Sequence, residues 1–261
     1  MWTPSEQGSE MMALWIIITG FLVGLLVGLT GMGGALLMTP LLILIYGFSP
    51  TMAVGTDLVY AAVTKAAGAL QHFKQKTVDW DVVKKLALGS IPGGIIGVIL
   101  IGFLHQSPAF SFDLILKKFL GIIFILFAVM MLVRLLWTRE KAEGKLVKNR
   151  SLKRVGFLGG LLVGITSVGS GSLFILFLMS RTSLSAALLV GTDVVHAFFL
   201  TLSTGMLHAT FGNVDWVFVS YLLMGSIPGI LLGGRLTLHV PDKLLRGFII
   251  CILLATGVMM L

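Results

Sequence analysis

Charge is what this chain lacks most: of its 261 residues only 11% are Asp, Glu, Lys or Arg, while 57% are hydrophobic. Soluble domains carry about 25% charged residues. That shortage, with a mean hydropathy of +1.03, excludes an ordinary water-soluble domain, which could not bury so much apolar surface. Cysteine is nearly missing too. Cys251 stands alone, so it closes no internal disulfide and reads as a small packing residue. The opening MWTPSEQGSEMM has no Lys or Arg, unlike the basic n-region of a secretory signal, and the first apolar segment is expected to be retained. No H-E-x-x-H or similar close ligand spacing occurs, so an intramembrane enzyme and a bound metal or cofactor are not expected. The net charge of +8 would suggest nucleic acid in a soluble protein. Here it is assigned to the arrangement of bases beside a membrane.

What is present is long apolar sequence. From Met11 to Thr64, tyrosines aside, the only ionisable residue is Asp57, and similar stretches cover Leu86 to Leu104 and Phe119 to Val133. Runs of about 18 or more such residues match the ~30 Å hydrocarbon core of a bilayer. An all-α integral membrane protein follows.

The chain also repeats itself. GFLVGLLVGLTGMGG at Gly20 to Gly34 returns as GFLGGLLVGITSVGS at Gly156 to Ser170, a displacement of 136 residues. The same displacement carries VGTD at Val54 to Asp57 onto Val190 to Asp193, VDW at Val78 onto Val214, and GSIPG at Gly89 onto Gly225. Aligned without gaps, residues 20–97 and 156–233 share 31 identities in 78 positions. We divide the chain into a tail (1–10), a first membrane repeat (11–137), a basic cytoplasmic loop (138–153) and a second repeat (154–261). Apolar segments are expected at about 11–30, 34–48, 51–71, 85–104 and 114–136, then at 154–167, 171–181, 185–208, 216–235 and 243–261. The first pair in each half is short and interrupted by Gly and Ser, as in the discontinuous or re-entrant helices that surround transporter binding sites.

Such a pair begins and ends on one side of the membrane, so three further crossings make each half odd and the second half inverted. The distribution of bases agrees. With the N-terminus outside, 16 of the 19 Lys and Arg fall inside, including those of the central loop. The linker HFKQKTVDWD is basic, whereas its counterpart HATFGNVDW carries no Lys or Arg.

Candidate site residues follow from what a bilayer tolerates. Backbone that leaves its helix within lipid must be buried in protein or line a wet cavity, and half-helix N-termini beside such breaks attract anions. Gly31, Gly33 and Gly34 in the first half, and Ser167, Gly169, Ser170 and Gly171 in the second, are therefore expected to bind solute, together with Thr56 and Thr192 of the VGTD copies. Gly24, Gly28, Gly160 and Gly164, spaced four apart, need only close helix packing. Asp57 and Asp193 are acids within apolar sequence, where a charge is costly and points to function. Tyr60 and Lys65 share the helical face of Asp57, and His196 that of Asp193. These five are candidates for proton coupling or for lining a polar cavity. The competing account places both acids near helix ends as dipole stabilisers. His72 and His208 read as interfacial structural groups, Asp79 and Asp215 as N-caps, Trp80 and Trp216 as interfacial anchors, and GSIPG as a kinked, tightly packed span.

GLTGMGGALLMTPLL, VGT, the H-x5-VDW linker, GSIPGG and their echoes resemble the TauE/SafE family of sulfite and organosulfonate exporters over residues 12–261. The resemblance implies two inverted halves and export of a small sulfur-containing anion such as sulfite, thiosulfate or sulfoacetate, by alternating access and with proton linkage, across the inner plasma membrane. It carries the family motif onto Gly31, Gly33, Gly34 and Pro40. The second copy departs at Ser170 and Leu176, and the family pattern has a small hydroxyl residue where this chain has Asp57 and Asp193. Those acids keep open a zwitterionic sulfur substrate such as taurine or cysteine, beside a passive anion channel. A homodimer is the assembly expected for so small a transporter.

Overall fold

A computed structural model describes residues 6–30, 35–105, 112–136, 149–171, 173–182, 184–236 and 242–261. The candidates Gly31, Gly33 and Gly34 lie outside these residues. Every described element is a helix: α1 (Glu6–Thr30), α2 (Ala35–Leu44), α3 (Pro50–Lys74), α4 (Trp80–His105), α5 (Phe112–Leu136), α6 (Asn149–Thr166), α7 (Leu173–Arg181), α8 (Ala186–Thr210), α9 (Trp216–Leu236) and α10 (Asp242–Met260). The ten expected apolar segments thus correspond to ten helices. α6 begins at Asn149, so the last residues of the basic stretch are already helical.

Five helices, α1, α4, α5, α8 and α9, are long and apolar enough to cross a membrane. They leave large side chains such as Leu100, Phe103, Leu126 and Leu231 exposed on their outer faces, a surface suited to lipid and not to water. The protein is an integral, multi-pass membrane protein. α2 and α7 have ten and nine residues, which at 1.5 Å per residue reach about half of a ~30 Å hydrocarbon layer.

Local chemistry sets the helix starts. Ser49 caps α3 by accepting the Met52 N–H at 3.3 Å, and Ser185 caps α8 through Leu188 at 3.4 Å. Asp79 accepts the Asp81 and Val82 N–H groups at 3.0 and 3.1 Å, and Asp215 accepts that of Phe218 at 2.9 Å, so both acids are N-caps. Trp80 and Trp216 are exposed beside them.

Packing joins the halves crosswise. α1 lies along α9, and α4 along α6. A Cβ on Gly20, Gly24 or Gly28 would strike backbone at Leu222, Ser226 or Ile230, so α1 and α9 run in the same direction with no room for side chains between them. Gly156, Gly160 and Gly164 meet Leu86, Ser90 and Gly94 of α4 in the same way. These glycine rows permit backbone contact in a lipid-facing bundle. α3 packs on α8, where Gly55 meets Asn213, Gly68 meets Val194 and Gly205 meets Val59, an antiparallel pairing. α5 and α10 are antiparallel too, with Gly121 against Gly257 and Met260. Their apolar faces, including Leu120, Phe124, Phe127, Ile250 and Leu253, form much of the core.

Candidate functional site

The second-half break is a tight, non-helical turn between α6 and α7. The Ser167 N–H bonds the Val163 carbonyl at 2.7 Å to close α6, and the chain then reverses with φ of 61° at Ser167 and 95° at Gly169. The second value suits glycine. The first is strained for serine, by roughly 1–2 kcal/mol. Ser167, Gly169, Ser170 and Gly171 are all buried.

Two charged side chains of α3 hold this turn. Asp57 Oδ2 accepts the Ser167 hydroxyl at 2.9 Å and also the Thr39 hydroxyl of α2. Two turns further along, Lys65 Nζ donates to Ser170 Oγ at 3.0 Å. Helical side chains lean toward the N-terminus, which brings the lysine ammonium back toward Asp57. First-half charges therefore grip two hydroxyls of a single second-half turn.

Asp193 of α8 completes the group. It is buried, its carboxyl accepts the Ile175 N–H from the first turn of α7, and it lies within electrostatic reach of Lys65, as Asp57 does. The Thr39 N–H faces Asp57 in the corresponding way. Neither acid reaches Lys65 at ion-pair distance, unlike Lys85 and Asp81 on the α4 surface, which are paired. Both acids are buried, beside Thr39 of α2 and Ile175 in the first turn of α7.

The other candidates are placed differently. Thr56 Oγ1 accepts the backbone N–H of Asp215 at 3.1 Å, and Thr192 Oγ1 accepts that of Asp79 at 2.9 Å. Each VGTD threonine therefore holds the capping turn of the opposite half. Gly55 and Gly191 let these turns approach, since a Cβ there would lie 2.0 Å from the Asn213 or Thr77 oxygen. His196 Nε2 pairs with Ser90 Oγ at 2.7 Å, with the Phe174 ring edge-on at 4.5 Å. It makes no hydrogen bond to Asp193. Tyr60 and Ser226 occupy the equivalent positions and face one another, but neither hydroxyl closes a hydrogen bond. His208 is fully buried and bonds the Gly164 carbonyl at 3.1 Å, so it is a core group and not an interfacial one. His72 bonds Thr77 near the surface at 2.9 Å.

Three partners in this network were not singled out from the sequence: Thr39, Ser90 and Ser226. Ser90 and Ser226 carried a signal as matching hydroxyls in the repeated GSIPG. Thr39 had no counterpart, since the matching residue is Ile175.

This buried set of hydroxyls, acids and one ammonium offers both hydrogen-bond donors and acceptors inside the membrane protein. Known proteins resemble the chain over nearly its whole length. A family model described as "Sulfite exporter TauE/SafE" matches residues 16–260. The chain is 42% identical over 254 residues to the "Probable membrane transporter protein YjnA" of Bacillus subtilis, covering 94% of this chain and 98% of that one. It is 29% identical to YdhB of the same organism, over 94% and 99% of the two chains. A "Probable membrane transporter protein" of Methanocaldococcus jannaschii is 28% identical, over 94% of each. No solved structure matches. With an all-helical membrane fold, a polar cluster buried between its halves and a family match along nearly its whole length, the chain belongs to the TauE/SafE sulfite exporter family of membrane transporters.

Proposed function

We propose that the protein is a secondary transporter that exports a small sulfur-containing anion, such as sulfite, thiosulfate or an organosulfonate, by alternating access. The observation that carries this reading is the grip of Lys65 and Asp57 on Ser170 and Ser167, which puts the sole ammonium of the cluster at the junction of the two halves. Ser167, Gly169, Ser170 and Gly171, with Gly31, Gly33 and Gly34 from the other half, form the solute path. Asp57 and Asp193 are the acceptors of the protons that accompany the anion, and Tyr60 and His196 flank them.

The two halves, 11–137 and 154–261, are read as inverted repeats. In support, equivalent helices run antiparallel in both α3 with α8 and α5 with α10, as a two-fold axis in the membrane plane requires. Thr56 with Asp215 and Thr192 with Asp79 are equivalent contacts under the 136-residue shift. Inversion puts them toward opposite faces, where their alternate release would open one side at a time. The N-terminus lies outside and residues 138–153 in the cytoplasm, as the distribution of Lys and Arg favours.

Counterflow of radiolabelled sulfite, thiosulfate and sulfoacetate in proteoliposomes tests the function. Saturable exchange of at least one, accelerated by an imposed proton gradient in the wild type and indifferent to it in Asp57→Asn and Asp193→Asn, is expected. Flux that never saturates would instead identify a passive channel, and no flux of any sulfur anion would reject the assignment.

A further inference from the structure

The groups around Lys65 do not satisfy one another. An ammonium carries three N–H donors, and among the described residues Lys65 uses one, on Ser170. Among the described residues Asp57 Oδ1 and Asp193 Oδ1 have no hydrogen-bond partner, nor does the Tyr60 hydroxyl beside Asp57. All four side chains are buried. Buried polar atoms are normally paired, and those left open need an explanation.

The open groups are of two kinds. Lys65 offers donors, which an oxyanion would take up. The bare carboxylate oxygens are acceptors, and an anion that consists only of acceptor oxygens would leave them unpaired and repel them. The ligand that answers both kinds bears negative oxygens at one end and its own O–H or N–H at the other. On the second-half side His196 Nε2 is bonded to Ser90 and its ring packs against Phe174, while among the described residues its Nδ1 has no partner. The open carboxylate oxygens lie where Asp57 and Asp193 come within electrostatic reach of Lys65.

We infer that the cluster selects sulfur oxyanions that carry their own hydrogen-bond donors, a hydroxysulfonate, an aminosulfonate or the protonated oxyanion, over donor-free anions of the same size. Anionic oxygens bind Lys65, and the donors bind Asp57 Oδ1 and Asp193 Oδ1. This inference rests on the reading of the cluster as a sulfur-anion site. It names the substrate class within it.

The test uses the purified full-length protein and three probes of similar size: 2-hydroxyethanesulfonate, 2-aminoethanesulfonate and 1-propanesulfonate. Binding is followed by thermal shift and transport by competition in counterflow. Sites that hydrogen-bond a substrate hydroxyl or amine reject analogues lacking it strongly, so the two donor-bearing probes are expected to bind at least about tenfold more tightly than 1-propanesulfonate. Asp57→Asn and Asp193→Asn, whose amides supply an N–H, are expected to narrow that ratio, whereas Lys65→Met weakens all three probes together. Should the variants fail to fold, the wild-type ratio alone decides. Equal binding of all three probes overturns the selectivity and leaves the anion site standing. Binding of none overturns the selectivity, and counterflow of sulfite and thiosulfate then decides separately whether the anion site stands.

Discussion

Lys65 and Ser167 show how single residues set the character of this site. Within a membrane an ammonium is tolerated where protein groups solvate it, and here the solvating group is one hydroxyl of the opposite half. Ser167 makes the complementary contact, at the cost of a left-handed backbone. Replacing it separates the two effects. Ser167→Ala loses the bond to Asp57, a hydrogen bond to a charged group worth about 1.5–3 kcal/mol, and keeps the strain. Ser167→Gly loses the same bond but relieves the strain. The glycine variant is therefore expected to be more stable than the alanine variant by about 1 kcal/mol, read from thermal unfolding in detergent. Equal melting temperatures would show that φ at this position carries no cost.

At the scale of helices, glycine rows set how closely the pairs α1 with α9 and α4 with α6 can pack. Gly160→Ala would put a Cβ 2.0 Å from the Ser90 carbonyl oxygen, and Gly225→Ala one 1.9 Å from that of Ile17. Each must push a helix pair apart, and a clear drop in melting temperature is expected. Gly234 and Gly247 meet nothing within 4 Å. Alanine there should be neutral or stabilising, by up to about 1 kcal/mol of helix propensity. A similar loss in all four variants would contradict this account of packing. Thr192→Val probes the reciprocal contact between halves, since it removes the acceptor of the Asp79 N–H. Leaving that donor unpaired should cost about 1–3 kcal/mol and, under the alternating access proposed above, shift the balance between inward- and outward-open forms, measurable as an altered ratio of influx to efflux.

For the whole molecule the decisive property is orientation. Gln75 and Thr210 are exposed at the ends of α3 and α8, and inversion assigns them to opposite faces. In a Cys251→Ser background, which removes the exposed native thiol, Gln75→Cys is expected to react with an impermeant maleimide only from the cytoplasmic side. Thr210→Cys should react only from outside. Labelling of both from one side would sink the inverted arrangement.

Much of this architecture was legible in one dimension. Apolar runs locate the helices because each must satisfy its own backbone in lipid, and the 136-residue repeat pairs them because the equivalent positions match without gaps. Spacing of four marked Gly24, Gly28, Gly160 and Gly164 as packing residues, and the Asp-Trp pairs as helix starts, since both signals are local. Asp57, Asp193 and Lys65 stood out because charge in an apolar run is rare. What only the tertiary structure decided is which groups these residues meet. Ser170 lies 105 residues from Lys65 and Ser167 lies 110 from Asp57, separations over which no sequence period carries information. Three-dimensional packing turned the VGTD threonines toward the opposite half's backbone, gave His196 to Ser90 and left Asp193 open toward Lys65. Partner choice in a membrane interior is set by helix crossing and burial, and these exist only after the halves have come together.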